Sequence, residues 1–244
     1  MKAVILAAGY ATRLYPLTRD TPKPLLKIGD KTILEHILLK LARVQEVEKL
    51  YLVTNARFYE IFKEWCAGND FGREIKVIND NTTSNENRLG AIADLQYVIE
   101  QERLDDDLLV LAGDNIFEFE LTDFVEFFRE HDADSITCHQ LDDLEELKRT
   151  GVVEIDEEGK VLSFVEKPAE PRSTLAVPPV YAYKRETLPL FREYLAGGNN
   201  PDAPGNFIPW LITKKDVYAY QFSGYRYDIG TVESYHKVNN LFNK

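Results

Sequence analysis

Four short apolar runs, each followed by a polar loop, place the strongest constraint on how this chain folds. They span residues 3–7, 50–54, 75–78 and 108–112. The segments between them repeat apolar residues at the spacing of an amphipathic helix: residues 33–41, 58–65 and 89–99. Such alternation is typical of a parallel sheet that is covered by helices on both faces. Because crossovers between parallel strands are right-handed, the loops after the strands are expected along one edge of the sheet.

The second half of the chain changes character and contains shorter strand-like segments. We predict strands at residues 135–139, 152–155, 161–165, 177–183, 217–222 and 227–229. We predict helices at residues 122–129, from residue 187 and at residues 231–242. Neither a linker nor a repeat separates the halves. The sequence therefore predicts a single α/β domain over residues 1–244, with a Rossmann-like mixed, mostly parallel sheet and a lid from the second half over its edge.

Composition excludes several classes of protein. The formal net charge of −12 argues against a protein that coats nucleic acid, which needs a broad basic surface. No apolar run approaches the roughly 18 residues of a membrane span, and the segment before Gly9 is too short for a secretory signal. Cys66 and Cys138 lie far apart and form no CxxC motif. We therefore expect a protein of the reducing cytoplasm, with neither a membrane nor nucleic acid as a partner.

The loop after the first apolar run combines small residues with positive charge. Residues 1–29 hold five basic residues against one acid, whereas residues 102–158 hold twenty acids against four basic residues. Gly9 permits a tight turn whose backbone N–H groups can bind an anion, while Arg13 offers a planar donor fork and Lys23 a mobile charge. The Walker A motif and the Rossmann glycine motif are both absent. On spacing alone, an anion site and an ordinary basic surface loop explain this loop equally well.

The segments LAAGYATRLYPLT and PKPLL closely resemble the opening signature of the sugar-1-phosphate nucleotidylyltransferases. This resemblance implies a fold of the nucleotide-diphospho-sugar transferase type, in which the loop wraps a nucleoside triphosphate. Arg13 and Lys23 then hold the phosphates, and Arg13 stabilises the departing pyrophosphate. The nucleotide-binding residues that the resemblance implies in this region are Leu6, Ala8, Gly9, Tyr10, Ala11, Thr12, Arg13 and Lys23. Ala11 stands where the family has glycine, so the backbone there is strained if its φ is positive.

Motifs later in the chain follow the order of the same family. Asp114, in LAGDN, and Asp228, in YDIGT, match the aspartates that bind Mg²⁺ in the family. The triplet EKP at residues 166–168 matches the motif whose glutamate contacts sugar hydroxyls and whose lysine contacts the sugar phosphate. The sugar-phosphate-binding residues implied here are Gly151, Glu166 and Lys167. The resemblance thus implies a nucleotide-binding half, residues 1–120, and a sugar-phosphate-binding half, residues 121–244.

These residue types suit the implied chemistry without a general base. A sugar 1-phosphate is largely a dianion at neutral pH, because its second pKa is about 6. Catalysis then consists of positioning and charge neutralisation during in-line attack on the α-phosphorus. Mg²⁺ often takes only one or two protein carboxylates, so Asp114 and Asp228 suffice as ligands. The implied catalytic residues are Arg13, Lys23, Asp114 and Lys167, and the products are an NDP-sugar and pyrophosphate.

The sequence leaves the nucleotide open among dTTP, UTP, CTP and GTP. Gly90 matches the glycine whose backbone lies against the base in the family. The glutamine that thymidylyl- and uridylyl-transferring members use to read the base is absent from residues 79–88. We assign Asn85 to the nucleotide site in its place, and a simple polar loop with asparagine turns is the alternative explanation of this segment.

Two other functions fit parts of the sequence. Cytidylyltransferases that act on phosphocholine or another phosphorylated alcohol share the opening loop, whereas the EKP motif favours a sugar. A catalytically silent sensor or regulatory subunit would bind the ligand without turnover, but binding alone does not require paired metal ligands. The missing Rossmann motif excludes a dehydrogenase. The sugar and the oligomeric state, including a homo-oligomer, are left open.

Overall fold

A mixed sheet of ten strands lies at the centre of the computed structural model, which describes residues 1–243. The strands of this part of the chain are β1 (Lys2–Leu6), β2 (Lys27–Ile28), β3 (Lys31–Thr32), β4 (Lys49–Thr54), β5 (Ile75–Asn79), β6 (Leu108–Ala112), β7 (Asn115–Phe117), β8 (Asp134–Gln140), β9 (Gly151–Ile155), β10 (Val161–Glu166), β11 (Leu175–Val177), β12 (Val180–Tyr183), β13 (Val217–Gln221) and β14 (Arg226–Asp228). The α-helices are α1 (Ile33–Leu41), α2 (Tyr59–Ala67), α3 (Ala91–Glu102), α4 (Leu121–His131), α5 (Leu144–Leu147), α6 (Leu188–Ala196), α7 (Phe207–Leu211) and α8 (Val232–Phe242).

The strand order of the large sheet is β10-β9-β11-β8-β12-β6-β1-β4-β5, and β13 pairs with β8. Strands β6, β1, β4 and β5 are mutually parallel, as the alternation of apolar runs predicts. Strand β12 is antiparallel to both β6 and β8, so it joins the two halves of the chain in one sheet. The predicted mixed, mostly parallel sheet is confirmed, and the second half extends this sheet with its own strands.

Helices cover both faces of the sheet because the side chains of the buried strands alternate between two apolar layers. Ile5 of β1 belongs to the layer formed with α1, α2 and α4, whereas its neighbour Val4 belongs to the layer formed with α3, α6 and α7. Both side chains are fully buried. Burial of one such side chain contributes roughly 1.5–3 kcal/mol, so the layers stabilise the sheet edge at which the loops meet.

One local prediction is wrong. Residues 177–183 form two strands, β11 and β12, because Pro178 and Pro179 lie between them and cannot donate a ladder hydrogen bond. Helix α1 is capped by Thr32. The Thr32 hydroxyl accepts a hydrogen bond from the Glu35 N–H at 3.1 Å in a capping box, while Asp30 pairs with Lys31 at the surface.

A separate two-stranded ribbon brings distant parts of the chain together. Strand β7 begins three residues after β6 ends, and it pairs antiparallel with β14. In this register Asp228 lies opposite Asn115, the residue that follows Asp114. The ribbon therefore places Asp228 beside the end of a central strand.

None of the helices within residues 1–243 combines the length and the apolar character that crossing a membrane requires.

Candidate active site

The loop after β1 presents free backbone N–H groups. The Thr54 hydroxyl donates to the Ala7 carbonyl at 3.1 Å, and the Asn55 amide donates to the Ala8 carbonyl at 2.9 Å. These buried contacts hold the start of the loop against the end of β4. Four consecutive N–H groups make no hydrogen bond within residues 1–243: those of Ala8, Gly9, Tyr10 and Ala11. Such a row of free donors is suited to an anion.

Ala11 adopts the left-handed conformation, with φ 47° and ψ 41°. Its carbonyl accepts hydrogen bonds from the Thr18 hydroxyl at 2.8 Å and the Leu14 N–H at 3.0 Å, which fix this geometry. The left-handed region costs an alanine about 1–2 kcal/mol, whereas glycine adopts it freely. The short 3₁₀ helix Thr12–Leu14 follows at once and carries Arg13, whose side chain is exposed. The strain at Ala11 is thus the means by which the chain turns toward Arg13.

Lys23 and Asp114 form a direct ion pair at the end of β6. Lys23 is 7% exposed, and its Nζ donates to Asp114 Oδ2 at 2.7 Å. The other oxygen, Oδ1, accepts a hydrogen bond from the Asn115 amide at 2.6 Å. Burial disfavours the ionised carboxyl, but Lys23, Asn115 and Arg226 together hold the pKa of Asp114 below its ordinary value. Asp114 is therefore a carboxylate at neutral pH.

One cavity of about 220 Å³ brings the phosphate candidates and the metal candidate Asp114 together. Its lining includes Leu6, Gly9, Arg13, Lys23, Asp114 and Gly230. The loop after β1 thus forms one wall, the ion pair forms another, and the segment after β14 closes the third side. Two cationic side chains and one carboxylate thus face one small cavity, and this arrangement is suited to phosphate groups with a counter-ion.

Asp228 lies next to this cavity through the β7–β14 ribbon. Its side chain is 50% exposed, and its Oδ1 is 3.7 Å from an Arg226 guanidinium nitrogen. Arg226 also donates through Nε to Asn115 Oδ1 at 2.8 Å, so Asn115 is held between Arg226 and Asp114. No group of three or more His, Cys, Asp or Glu side chains in residues 1–243 is arranged to hold a metal. Two carboxylates fit Mg²⁺, which accepts one or two protein oxygens and completes its shell with phosphate and water.

The sugar-side candidates Gly151, Glu166 and Lys167 also lie together. Gly151 and Glu166 face each other across the β9–β10 hairpin, and a Cβ at Gly151 would lie 3.3 Å from Glu166 Oε2. Burial raises the pKa of Glu166, although Lys167 and Arg226 counteract it. Lys167 is exposed, and its Nζ is 3.8 Å from Glu166 Oε1. A carboxyl beside a gap of this kind can accept hydrogen bonds from hydroxyl groups.

The base-side candidates Asn85 and Gly90 lie at opposite ends of one polar segment. Asn85 begins the short 3₁₀ helix Asn85–Asn87, and its side chain is half-buried without a hydrogen bond in the part of the chain that the structure describes. The Asn87 side chain is instead used locally, since it accepts from the Thr83 and Ser84 N–H groups. Gly90 precedes α3 with φ 94°, which requires glycine. The Asn85 side-chain amide, unlike that of Asn87, is therefore available to bind a ligand.

Comparison of the sequence with known protein families agrees with this arrangement of the site. A family model described as nucleotidyl transferase matches residues 2–244. This chain belongs to the nucleotidyl transferase family. The resemblance that the opening loop and the later motifs suggest is thereby confirmed, and the nucleotidyl transferase fold accounts for the continuous sheet.

Individual relatives of this nucleotidyl transferase carry longer chains. A glucose-1-phosphate adenylyltransferase of Trichlorobacter lovleyi is 29% identical over 97% of this chain and 64% of its own length. A UTP–glucose-1-phosphate uridylyltransferase of Synechocystis is 31% identical over 96% of this chain and 61% of its own length. This chain thus spans less than two thirds of the curated relatives that it matches. A solved structure from Bacillus anthracis, of a candidate glucose-1-phosphate thymidylyltransferase in complex with sucrose, has a TM-score of 0.85 at 26% identity and covers 100% of this chain and 96% of that one.

Arg226 is the residue of this nucleotidyl transferase that sequence reasoning missed. Besides its contacts to Asn115 and Asp228, it donates through Nη1 to the Thr150 hydroxyl at 3.2 Å. Thr150 precedes Gly151, so one guanidinium connects the carboxylate pair with the sugar-side cluster. The only signal in the sequence was its spacing, because residues 226 and 228 point to the same side of a strand.

Proposed function

We propose that this chain joins a nucleoside triphosphate to a sugar 1-phosphate and releases pyrophosphate, yielding an NDP-sugar. One observation carries the proposal: Arg13, Lys23 and Asp114 line a single cavity next to four free backbone N–H groups. Groups of this kind neutralise phosphates and contain no nucleophile, which suits a reaction whose nucleophile is itself a phosphate dianion. The relatives named for glucose 1-phosphate support a sugar phosphate as the acceptor.

The residues divide the work of one in-line displacement. A phosphate oxygen of the sugar 1-phosphate attacks the α-phosphorus, and the bond between the α-phosphorus and the bridging oxygen to the β-phosphorus breaks as pyrophosphate leaves. The loop N–H groups and Lys23 hold the triphosphate, and Arg13 stabilises the charge that develops on pyrophosphate. Lys167 aligns the attacking phosphate, and Glu166 with Gly151 binds sugar hydroxyls. Asp114 and Asp228 would hold Mg²⁺, which supplies further neutralisation of phosphate charge when bound.

The proposed division of the chain into two halves follows the positions of the residues that bind each substrate. Arg13, Lys23 and Asp114 come from residues 1–120, the nucleotide-binding half, whereas Glu166 and Lys167 come from residues 121–244, the sugar-phosphate-binding half. Asp228 is the exception, because the ribbon returns it to the first half. Asn85 and Gly90 are the proposed contacts to the base. The relatives transfer different nucleotides, so the base is a matter for direct assay.

We also infer a reducing compartment, the cytoplasm. Both cysteines are free. Burial raises the pKa of Cys66 to about 11 and that of Cys138 to about 12, so both stay protonated at neutral pH. Disulfides are rare in cytosolic proteins, where thiols are kept reduced, so two cysteines without a disulfide suit this compartment.

Pyrophosphate release tests the proposal. We would assay ATP, GTP, CTP, UTP and dTTP, each with Mg²⁺ and with glucose 1-phosphate, other sugar 1-phosphates or phosphocholine. Activity with a sugar 1-phosphate supports the proposal, and activity with phosphocholine alone overturns it in favour of the cytidylyltransferase. Tight nucleotide binding without turnover on any acceptor indicates the silent sensor.

A matched pair of variants links the activity to the cavity. Arg13→Gln removes a cavity side chain, whereas Arg19→Gln removes an exposed arginine six residues later in the same loop region. We expect a loss of about 10²–10³ in turnover for Arg13→Gln, as for other groups that stabilise developing charge, and no change for Arg19→Gln. Equal behaviour of the two variants would remove Arg13 from the site.

A further inference from the structure

Residues 199–206, which we call the strap, connect α6 to α7 and contact two parts of the candidate site. One end of the strap lies against the residues that precede and begin α3. The other end lies against Glu166 on β10. The strap belongs to none of the motifs that identify the family, and the proposed reaction leaves it without a role.

At the base end, the strap occupies the N-terminus of α3. The Pro201 carbonyl accepts from the Ile92 N–H at 2.9 Å, and the Asp202 carbonyl accepts from the Ala91 N–H at 3.2 Å. These N–H groups belong to the first turn of the helix and have no partner within it. A Cβ at Gly90 would lie only 2.7 Å from the Pro201 carbonyl oxygen. The backbone of the strap is therefore in direct contact with the proposed base-binding glycine.

At the sugar end, the strap determines where Glu166 lies. A Cβ at Gly205 would overlap with Glu166 Oε2 and would lie 2.9 Å from Phe164 Cζ. Gly151 is close to the same two side chains, with its Cβ position 2.5 Å from Phe164 Cζ and 3.3 Å from Glu166 Oε2. The Glu166 carboxylate thus lies in a gap that exists only because both neighbours are glycines. Gly205 has no positive φ, so its role is the absence of a side chain.

A single buried hydroxyl supports the strap near both ends. Tyr194 is 3% exposed, and its hydroxyl contacts the Asn200 carbonyl at 2.9 Å and the Asn206 carbonyl at 3.1 Å. A further ion pair at the surface joins Arg88 to Asp202 at 2.9 Å. Because this exposed pair is worth little, the buried contacts carry most of the connection.

We propose that the strap is a positioning element that couples the two substrate subsites. It sets the position of Glu166 relative to Gly90, so a displacement at one end changes ligand binding at the other. The proposal rests on the proposed function in one respect: that Glu166 meets the sugar phosphate and Gly90 meets the nucleotide. Coupling of this kind is carried by contiguous packed and hydrogen-bonded groups, and each step from Gly90 to Glu166 is such a contact.

Two variants test the coupling. Gly205→Ala displaces Glu166, and we expect the KM for the sugar 1-phosphate to rise about tenfold and the KM for the nucleotide to rise severalfold. Tyr194→Phe keeps the ring and removes the hydroxyl. We expect both KM values to rise, while kcat stays within about threefold of the wild-type value. Gly68→Ala and Tyr51→Phe are the controls. Gly68 has a negative φ and ordinary contacts at its Cβ position, and the hydroxyl of Tyr51, a residue that is 4% exposed, makes no hydrogen bond within residues 1–243.

Equilibrium binding by calorimetry separates this proposal from the proposed function. The probes are glucose 1-phosphate and each of the five nucleoside triphosphates, and thermal unfolding confirms that each variant is folded. Inactive wild-type protein would overturn the function, and the coupling would then be judged from the dissociation constants. If Gly205→Ala weakens glucose 1-phosphate alone, or if Tyr194→Phe changes only the unfolding temperature, the coupling is wrong. A variant that fails to fold is replaced by Asn200→Ala, which removes the side chain that accepts a hydrogen bond from the Asp202 N–H at 3.0 Å within the strap. A changed affinity for glucose 1-phosphate then supports coupling, and an unchanged affinity overturns it.

Discussion

The Lys23 ammonium lies 2.7 Å from Asp114 Oδ2, so a proposed phosphate-binding cation and a proposed metal ligand neutralise one another. Lys23 is almost fully buried, and a buried cation without a partner is strongly unfavourable. The pair therefore keeps both groups charged and in place before any ligand arrives. The two charged groups are thus already oriented before phosphate or metal binds, so the side chains need less reorganisation during the proposed reaction.

Lys23→Met is expected to raise the pKa of Asp114. Burial already opposes ionisation of this carboxyl, and the nearest cation that counteracts burial is lost. In the wild type, the lowered pKa of Asp114 contributes stability that is present above its unfolded-state pKa and is lost as the pH falls through the folded-state pKa. Titration by ¹³C NMR of labelled aspartate measures the shift. Lys27→Met, at an exposed lysine, is the control and should leave the titration unchanged.

Asp228→Asn is expected to lower kcat by about 100-fold or more while the protein stays folded. The side chain is half-exposed, so the substitution should change the free energy of unfolding by no more than about 0.5 kcal/mol. The loss of one carboxylate should also weaken Mg²⁺ binding in the presence of nucleotide, which manganese electron paramagnetic resonance can measure. Asp30→Asn, at a carboxylate that is 82% exposed, is the control. Full activity of Asp228→Asn would show that Asp228 is not a metal ligand.

Asp94→Asn is expected to flatten the pH dependence of stability. Asp94 is 6% exposed in the first turn of α3, and burial, together with the nearby Asp80, raises its pKa from 3.8 to about 8. The raised pKa means that the folded state holds a proton that the unfolded state releases. The contribution of Asp94 to the free energy of unfolding should therefore fall as the pH rises from 3.8 toward about 8, by at most about 1.4 kcal/mol per pH unit for one proton.

Urea unfolding across this pH range measures the effect. An asparagine has the shape of a protonated aspartate and cannot ionise, so the slope due to this group should disappear in the variant. Asp20→Asn, at an aspartate that is 90% exposed, should keep the wild-type slope. Equal slopes for the wild type and Asp94→Asn would contradict the expected protonation of Asp94.

Ala11→Gly is expected to stabilise the protein by roughly 0.5–1 kcal/mol. Relief of the left-handed strain is worth about 1–2 kcal/mol, and the greater freedom of glycine in the unfolded chain opposes it by about 0.4–1 kcal/mol. Ala67→Gly, at the last residue of α2, is the matched control and should destabilise, because glycine is a poor helix former. Chemical denaturation of both variants gives the comparison, and destabilisation by Ala11→Gly would show that the strain is absent in solution.

Local patterns predicted the parallel part of the fold because each of its elements is defined within a few residues. The apolar runs become β1, β4, β5 and β6, and the strand-like segments at residues 152–155 and 161–165 become β9 and β10. The motifs likewise named Arg13, Lys23 and Asp114, which the structure brings to one cavity.

Contacts between distant residues could not be read in the same way. The β7–β14 ribbon pairs two three-residue strands that lie more than one hundred positions apart. The sequence predicts a strand near β14, at residues 227–229, but a strand as short as β7 carries no periodic signal that would identify its partner. The contact of Gly205 with Glu166 depends on the missing side chain of one residue and the burial of another. The role of Arg226 likewise depends on distant segments, because its partners come from β7 and from the residue before β9.

The ribbon also has a consequence for the order in which the chain is synthesised. A ribosome that has released residues 1–120 has exposed every segment of the four parallel strands, together with Arg13, Lys23 and Asp114. Asp228 pairs opposite Asn115 only after more than one hundred further residues have been translated. During synthesis the nascent chain thus holds one carboxylate without the other, and the second arrives as one of the last parts of the site.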